Sequence, residues 1–325
     1  MKKHPLLLLS LCAAALLPGC DNHGGGPQKK LRLAFVANTA DNYWSVVQLG
    51  CDYAARQLGD VDLEFRVPAV RTAEAQQTML GELVADGADG IAISPIDADR
   101  QTDFLNSVAA KTLLICADSD AANSRRTCYI GTDNVSAGQQ AAELIKAALP
   151  QGGKIILLVG YAKAQNTLDR VSGIQSGLAG SNIQIIGTLS DEHDSAIGQK
   201  NAEEALAKNP DLAGMVGIYG YHGPAILTAV RSAGKTGQVK IVCFDDDSDT
   251  LAGIASGDIY GTVVQSPLDI GWQTIINMER YLRGDKTQLA GGKFLIPSRP
   301  ITQKNIVNFM EDQQALLVKL KQLRP

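Results

Sequence analysis

The segment LLICADSDAANSRRTCYIGTDN, Leu113–Asn134, holds the reading on which the fold turns. An apolar strand runs into Asp118-Ser119-Asp120, a short loop follows, and a second strand-like run, CYIG, ends at Thr132-Asp133-Asn134. Strands that end in acidic and amide side chains set up a site at their carboxyl ends, where open α/β sheets bind ligands. Whether this is one loop or the centre of a larger site depends on what the other segments bring to it.

Upstream, Leu31–Val36 is a short apolar run followed by Asn38–Asn42 and Tyr43-Trp44. From Trp44 the apolar positions Val47, Cys51, Ala54, Ala55 and Leu58 keep helical spacing as far as Gly59. Val61–Val67 is a second strand, and Thr72 can cap a helix that runs to Gly87. Gly90–Ile93 is a third strand running into Ser94 and Asp97, and Asp99–Lys111 a helix. Downstream of Asn134 the rhythm restarts: helix Ser136–Leu149, strand Lys154–Val159, a helix beginning at Arg170, strand Ile183–Leu189 and helix Ser195–Lys208. Strand Gly214–Tyr219, a helix through Ala233, strand Val239–Phe244, and Ile259–Val264 leading into Gln265 follow. A long helix, Pro267–Arg283, and a last strand, Lys293–Ile296, complete the core. Alternating strands and helices predict an α/β fold of two Rossmann-like lobes, each a parallel sheet with helices on both faces. No composition break marks a linker at 134, so crossing strands are expected to join the lobes.

The 325 residues are enough for two domains, and 45% apolar with 20% charged residues is ordinary for a globular protein. A net charge of -4 gives no basic footprint for nucleic acid. No G-x-S-x-G, H-E-x-x-H or P-loop occurs, and GIYGYHG at 217–223 is not the dinucleotide fingerprint. The acidic run Asp245–Asp249 falls short of a calcium loop, with Thr250 in place of the required Gly and Ser256 in place of the terminal Glu. Neither an enzyme nor a metal or other cofactor is expected. Cys116 and Cys128 flank the central loop and can bridge in an oxidising compartment, with buried free thiols as the alternative.

The amino terminus reads as an export signal: basic Met1–His4, then the apolar run Leu6–Leu17, too short to span a bilayer. It ends in Leu-Pro-Gly-Cys20, which resembles the lipobox of bacterial lipoproteins, although Pro18 is unusual there. The expectation is a signal peptide at 1–19, lipidation of Cys20 and a flexible tether through residue 30. Loss of Lys2 and Lys3 with the leader takes the charge from -4 to -6. Asp21 resembles the residue that keeps such proteins at the inner membrane, so the chain is placed in the periplasm, anchored there. Ordinary cleavage to a free periplasmic protein is the alternative.

The strand ends deliver Asn42, Tyr43 and Trp44; Ser94 and Asp97; Asp118 and Ser119; Asn166 and Arg170; His193 and Asp194; Tyr221 and His222; Asp245; and Gln265. Many such residues also serve as caps or turn formers. The mix of carboxylate, guanidinium, amide and aromatic groups lacks a nucleophile–base pair. Asp and Arg each bind adjacent hydroxyls in pairs, and an aromatic ring packs on the C–H face of a sugar. A small polyol is the natural ligand.

Over Leu31–Gln303 the chain resembles the type I periplasmic sugar-binding proteins, the ribose-binding-like group that serves ABC importers. The likeness rests on DNYW, DGIAISPID, DSDAANSRR, YIGTDNVSAG, NTLDRVSG, FDDD and TVVQSP, in the family's order and spacing. It implies a monosaccharide, pentose or hexose, held between lobes 31–132 plus 266–294 and 133–265 plus 295–304. Crossings are implied near Thr132–Val135, Gln265–Pro267 and Phe294–Pro297. It also implies that Tyr43 and Trp44 stack on the sugar, that Asp118, Arg170 and Asp245 bind its hydroxyls, and that Gln265 is the hinge glutamine. Asp41 and Ser94 stand where the family often has Asn, Asn42 where Pro is frequent, and His222 where a Tyr-Asn pair is common. His193 aligns near an aromatic ligand contact, with a solvated loop residue as the alternative. The implied partners are an ABC permease and ATPase, the chain acting as a monomer. The alternative is presentation of a sugar, polyol or autoinducer to a membrane sensor or chemoreceptor. A transcription regulator of this fold would carry a helix-turn-helix where this chain has its export signal. The tail at 305–325, with Ile306, Phe309, Leu316, Leu320 and Leu323 on 3–4 spacing, is expected to pack on its own lobe.

Overall fold

The structure, a computed structural model, describes residues 29–322. The expected signal peptide, the lipidation site Cys20 and most of the tether lie outside the described residues, as do the side chains of Leu316, Leu320 and Leu323. The first half folds as β1 (Leu31–Val36), α1 (Asn42–Leu58), β2 (Val61–Arg66), α2 (Ala73–Ala85), β3 (Gly90–Ile93), α3 (Ala98–Ala109), β4 (Leu113–Ala117) and β5 (Cys128–Thr132). The second half repeats the plan with α4 (Asn134–Ala148), β6 (Gly153–Val159), α5 (Gln165–Leu178), β7 (Ile183–Ser190), α6 (Ser195–Lys208) and β8 (Leu212–Gly217). It continues through α7 (His222–Ser232), β9 (Lys240–Phe244), α8 (Ser248–Ser256) and β10 (Gly261–Val264). The chain ends with α9 (Pro267–Leu282), β11 (Lys293–Ile296), β12 (Arg299–Thr302) and α10 (Ile306–Gln322).

Two six-stranded sheets result, ordered β11-β5-β4-β3-β1-β2 and β12-β10-β9-β8-β6-β7. The order reverses beside β1 in the first sheet and beside β6 in the second. Each lobe thus has a topological switch point, the crevice where such sheets take ligands. The chain passes between sheets three times: from β5 to α4, from β10 to α9, and from β11 to β12. Pairing of β11 with β5 runs through Ile296 to Thr132, which carries the first sheet past the expected boundary at 294. β12 was not legible in the sequence. It is antiparallel to β10 at the sheet edge, where Pro300 is tolerated because its missing N–H faces no partner.

Each sheet is packed on both faces. Phe35, Ile115 and Ile130 meet α1 and α9 on one side of the first sheet, and Val36, Ile91 and Leu114 meet α2 and α3 on the other. In the second lobe Leu157 and Val216 face α4 and α5, while Leu158 and Ile241 face α6 and α7. Ile306 and Phe309 of α10 join that last cluster, so the tail packs on the second lobe. Several acids at strand ends act as helix caps. Asp97 accepts from the Arg100 N–H at 3.1 Å, Asp133 from Ser136 at 3.0 Å, and Asp194 from Ala196 and Ile197. Asp97 and Asp194 are thereby engaged as N-caps.

The four cysteines among the described residues, at 51, 116, 128 and 243, are buried free thiols. Cys116 pairs with Tyr129 and Cys128 with Ile115 on adjacent strands, so the two side chains point to opposite faces of the sheet. Bridging them would require turning a strand over. Burial pushes the Cys116 thiol up to about 12 and that of Cys128 to about 11.

Candidate functional site

The carboxyl ends of both sheets face one another across a cleft of about 800 Å³. The fourth strand of each lobe ends in the same device. After β4, Asp118 turns into the left-handed region at φ 65°, with its N–H donated to the Ile130 carbonyl of β5. After β9, Asp245 does the same at φ 66°, with its N–H donated to Val263 of β10. Asp is among the few non-glycine residues that enter this region readily, and the bend aims each carboxylate into the cleft.

Asp118 sits in a prepared set of donors. Tyr43 Oη donates to Oδ1 at 2.8 Å and Ser94 Oγ to Oδ2 at 2.9 Å, while Asn166 Nδ2 of the second lobe lies 3.5 Å from Oδ2. Ser94 in turn accepts from Asn38, whose carbonyl accepts from Trp44 Nε1 at 2.8 Å. Burial holds the Asp118 carboxyl above its usual range, opposed by Arg170 and by the O–H groups of Tyr43 and Ser94. Asp245 accepts from Gln265 Nε2 at 2.7 Å, and Gln265 Oε1 accepts from Thr132 Oγ1 at 2.9 Å. Burial pushes Asp245 up to about 7, against the pull of Arg170 and the Gln265 amide.

Arg170 is 2% exposed and lies in the second turn of α5, which starts at Gln165 rather than at Arg170 as expected. Nε donates to Asn134 at 2.9 Å, Nη1 donates to the Ile218 carbonyl at 2.7 Å, and the guanidinium stands 4.8 Å over the Phe244 ring. Nη2 is buried without a partner. A guanidinium held by its other nitrogens, with one amino group free and its charge acting on both Asp118 and Asp245, is arranged for a ligand oxygen. Helix α5 is fixed by its near contact with α4. A Cβ on Gly173 would lie 2.2 Å from the Val135 carbonyl, and one on Gly138 would lie 2.3 Å from the Arg170 carbonyl.

His193, also left-handed at φ 64°, is ringed by Tyr161, Tyr219 and Tyr221 at centroid distances of 4.8–5.3 Å. Its Nε2 reaches Asp41 Oδ2 of the first lobe at 3.1 Å, and its carbonyl accepts from Arg71. Ile96 of the first lobe packs on Tyr161 and Ala164 of the second. These contacts hold the lobes together along one edge of the cleft.

The cleft is walled by Asp41, Asn42, Tyr43, Trp44, Asp118, Asn166, Arg170, His193, Tyr221, Asp245 and Gln265 among the expected residues. The other three lie behind the wall. Ser94 and Ser119 are fully buried, the first supporting Asp118. His222 is fully buried, accepting from the Tyr219 N–H at Nδ1 and lying 2.7 Å from Asp191 at Nε2. Asp191 also accepts from Tyr221 Oη and from the His193 N–H, so His222 and Asp191 brace the aromatic wall. Trp44 is only 3% exposed and packs largely against Phe35, with one edge in the cleft. Sequence reasoning missed Asn38, Tyr219 and Asp191. Tyr219 was legible as the end of a strand, whereas Asp191 was hidden in SDEHD beside the more conspicuous His193.

Two like lobes that close a polar, aromatic-walled cleft over opposed carboxylates define a two-lobed binding protein. The chain belongs to the periplasmic binding protein family, whose domain matches residues 33–286. The ribose import binding protein RbsB of Bacillus subtilis (strain 168) is 25% identical over 285 residues, 87% of this chain and 92% of the relative. The D-allose-binding periplasmic protein of Escherichia coli (strain K12) is 25% identical over 250 residues, 73% and 80% of the two chains. An ABC transporter solute-binding protein from Burkholderia graminis C4D1M, solved in complex with D-arabinose, superposes with a TM-score of 0.81 at 27% identity. That match covers 86% of this chain and 97% of the other. These relatives are binding proteins.

Proposed function

We propose that this protein captures a sugar in the periplasm, holding one pentose or hexose ring between its lobes, and delivers it to an ABC importer. The observation that carries this reading is the buried, unpartnered Nη2 of Arg170, whose guanidinium charge acts on both inward-turned carboxylates, Asp118 and Asp245. Vicinal hydroxyls donate to the carboxylates and accept from the guanidinium, while Tyr43 and the ring of His193 cover the C–H faces. Relatives named for ribose and allose, and a solute-binding protein solved with D-arabinose, support the ligand class. Capture then works by closure about the three crossings, as in periplasmic binding proteins generally. Lipidation at Cys20 would keep the protein at the inner membrane beside its permease.

A thermal-shift panel of aldoses, ketoses and polyols tests this. One pentose or hexose at 100 times its Kd should add about 2.7 kcal/mol of stability. Asp118→Ala and Arg170→Ala should each abolish that shift while the ligand-free protein still melts cooperatively. No shift across the panel would sink the sugar reading.

A further inference from the structure

The cleft is larger than one sugar ring. Even at the roughly 30 Å³ per heavy atom of liquid water, a hexose occupies less than about 360 Å³, under half of the 800 Å³ present. The lining reaches past the residues grouped around Asp118, Arg170 and Asp245. There the cleft continues between Val46 and Leu49 of α1, Leu251 of α8, and the acids Asp246 and Asp247. Its far wall includes Gln313 of α10, a helix outside the segment 33–286 that matches the family. Gln313 Nε2 stands 3.5 Å from Asp246 Oδ2, a long contact that leaves this half-buried carboxylate short of donors. The compartment carries three carboxylates, Asp246, Asp247 and Asp269, against one guanidinium, Arg299, which already lies over the Phe309 ring. Aliphatic side chains and surplus acceptors suit a hydroxyl-rich, uncharged group and repel an anionic one.

We propose that the physiological ligand is a disaccharide or related glycoside, its first ring in the inner compartment and a second, hydroxyl-bearing ring between α1, α8 and α10. This rests on the sugar-capture reading above. By the same bound two linked rings occupy less than about 700 Å³, which the cleft accommodates. The helix appended after the family domain thus supplies part of the second ring's site.

Calorimetry on the full chain tests this with D-ribose, D-xylose, D-glucose and D-galactose, beside xylobiose, maltose, cellobiose and lactose, and the corresponding sugar phosphates. At least one disaccharide should bind about tenfold or more tightly than its own monosaccharide, and the phosphates should be refused. Ser248→Trp places a bulky ring in the outer compartment from an exposed first-turn position of α8. It should weaken the disaccharide about tenfold and leave the monosaccharide unchanged. Gln313→Ala should act in the same direction. If monosaccharides bind and every disaccharide is refused, or if Ser248→Trp weakens both alike, the second-ring site is wrong and sugar capture stands. If no sugar of either size binds, both readings fall together.

Discussion

Asp245 is a cleft residue whose chemistry is exposed to pH. Burial pushes its carboxyl up to about 7, because it penalises the charge more than Arg170 and Gln265 relieve it. Asp118, Arg170 and Asp246 are the charged groups that act on it. A folded value raised above the unfolded one contributes stability that is fully present below about pH 4 and lost as pH rises through 7. The ligand-free protein should therefore melt lower at pH 8 than at pH 5, and Asp245→Asn should flatten that slope. Sugar hydroxyls donate to the ionised form, so affinity runs the other way. It should strengthen by up to about 30-fold from pH 5.5 to 8, with a proton released near pH 7. Calorimetry in two buffers of different ionisation enthalpy checks both. Affinity independent of pH would mean that Asp245 does not accept from the ligand. The sequence marked Asp118, Arg170 and Asp245 because each follows a strand. It could not tell cleft from support at Ser94, Ser119 and His222, since that depends on which way a side chain turns after the strand ends.

At the scale of elements, the α4–α5 contact sets where Arg170 stands. Gly173→Ala would press a methyl group into the Val135 carbonyl, only 2.2 Å from its ideal position, and that carbonyl is backbone and cannot swing away. The substitution should cost about 2 kcal/mol in urea unfolding. It should also weaken sugar binding, because α5 carries the guanidinium outward as it shifts. Unchanged stability would mean that the two helices have slack between them. The strands and helices were largely legible because apolar periodicity and caps such as Thr72, which accepts from Ala75 at 3.2 Å, agree locally. β12 was not, since four residues containing a proline look like loop until a neighbouring edge pairs with them. The absence of a Cys116–Cys128 bridge was equally out of reach. Closeness in sequence does not say which face of a sheet each thiol takes.

At the scale of the molecule, closure depends on a few contacts between lobes. Arg71 donates to the His193 carbonyl from outside the cleft wall. Arg71→Ala should open the ligand-free lobes, seen as a larger radius of gyration by small-angle scattering. Affinity should fall about tenfold where the closed fraction falls tenfold, and saturating sugar should restore the compact form. An unaltered scattering curve would remove Arg71 from the latch. The two-lobed plan was readable from the restart of alternation after Asn134, but the width of the cleft was not, because α10 and Arg299 reach it only through tertiary packing. Gln265 bonds Thr132 on one crossing and Asp245 on the cleft wall, so a hydrogen-bonded path joins the cleft to the turn between sheets. Val135 lies beside that turn and is 39% exposed, whereas the thiols at 51, 116, 128 and 243 are all buried. A maleimide dye on Val135→Cys would label that position selectively among the described residues, and its brightness should follow sugar concentration without a probe entering the cleft.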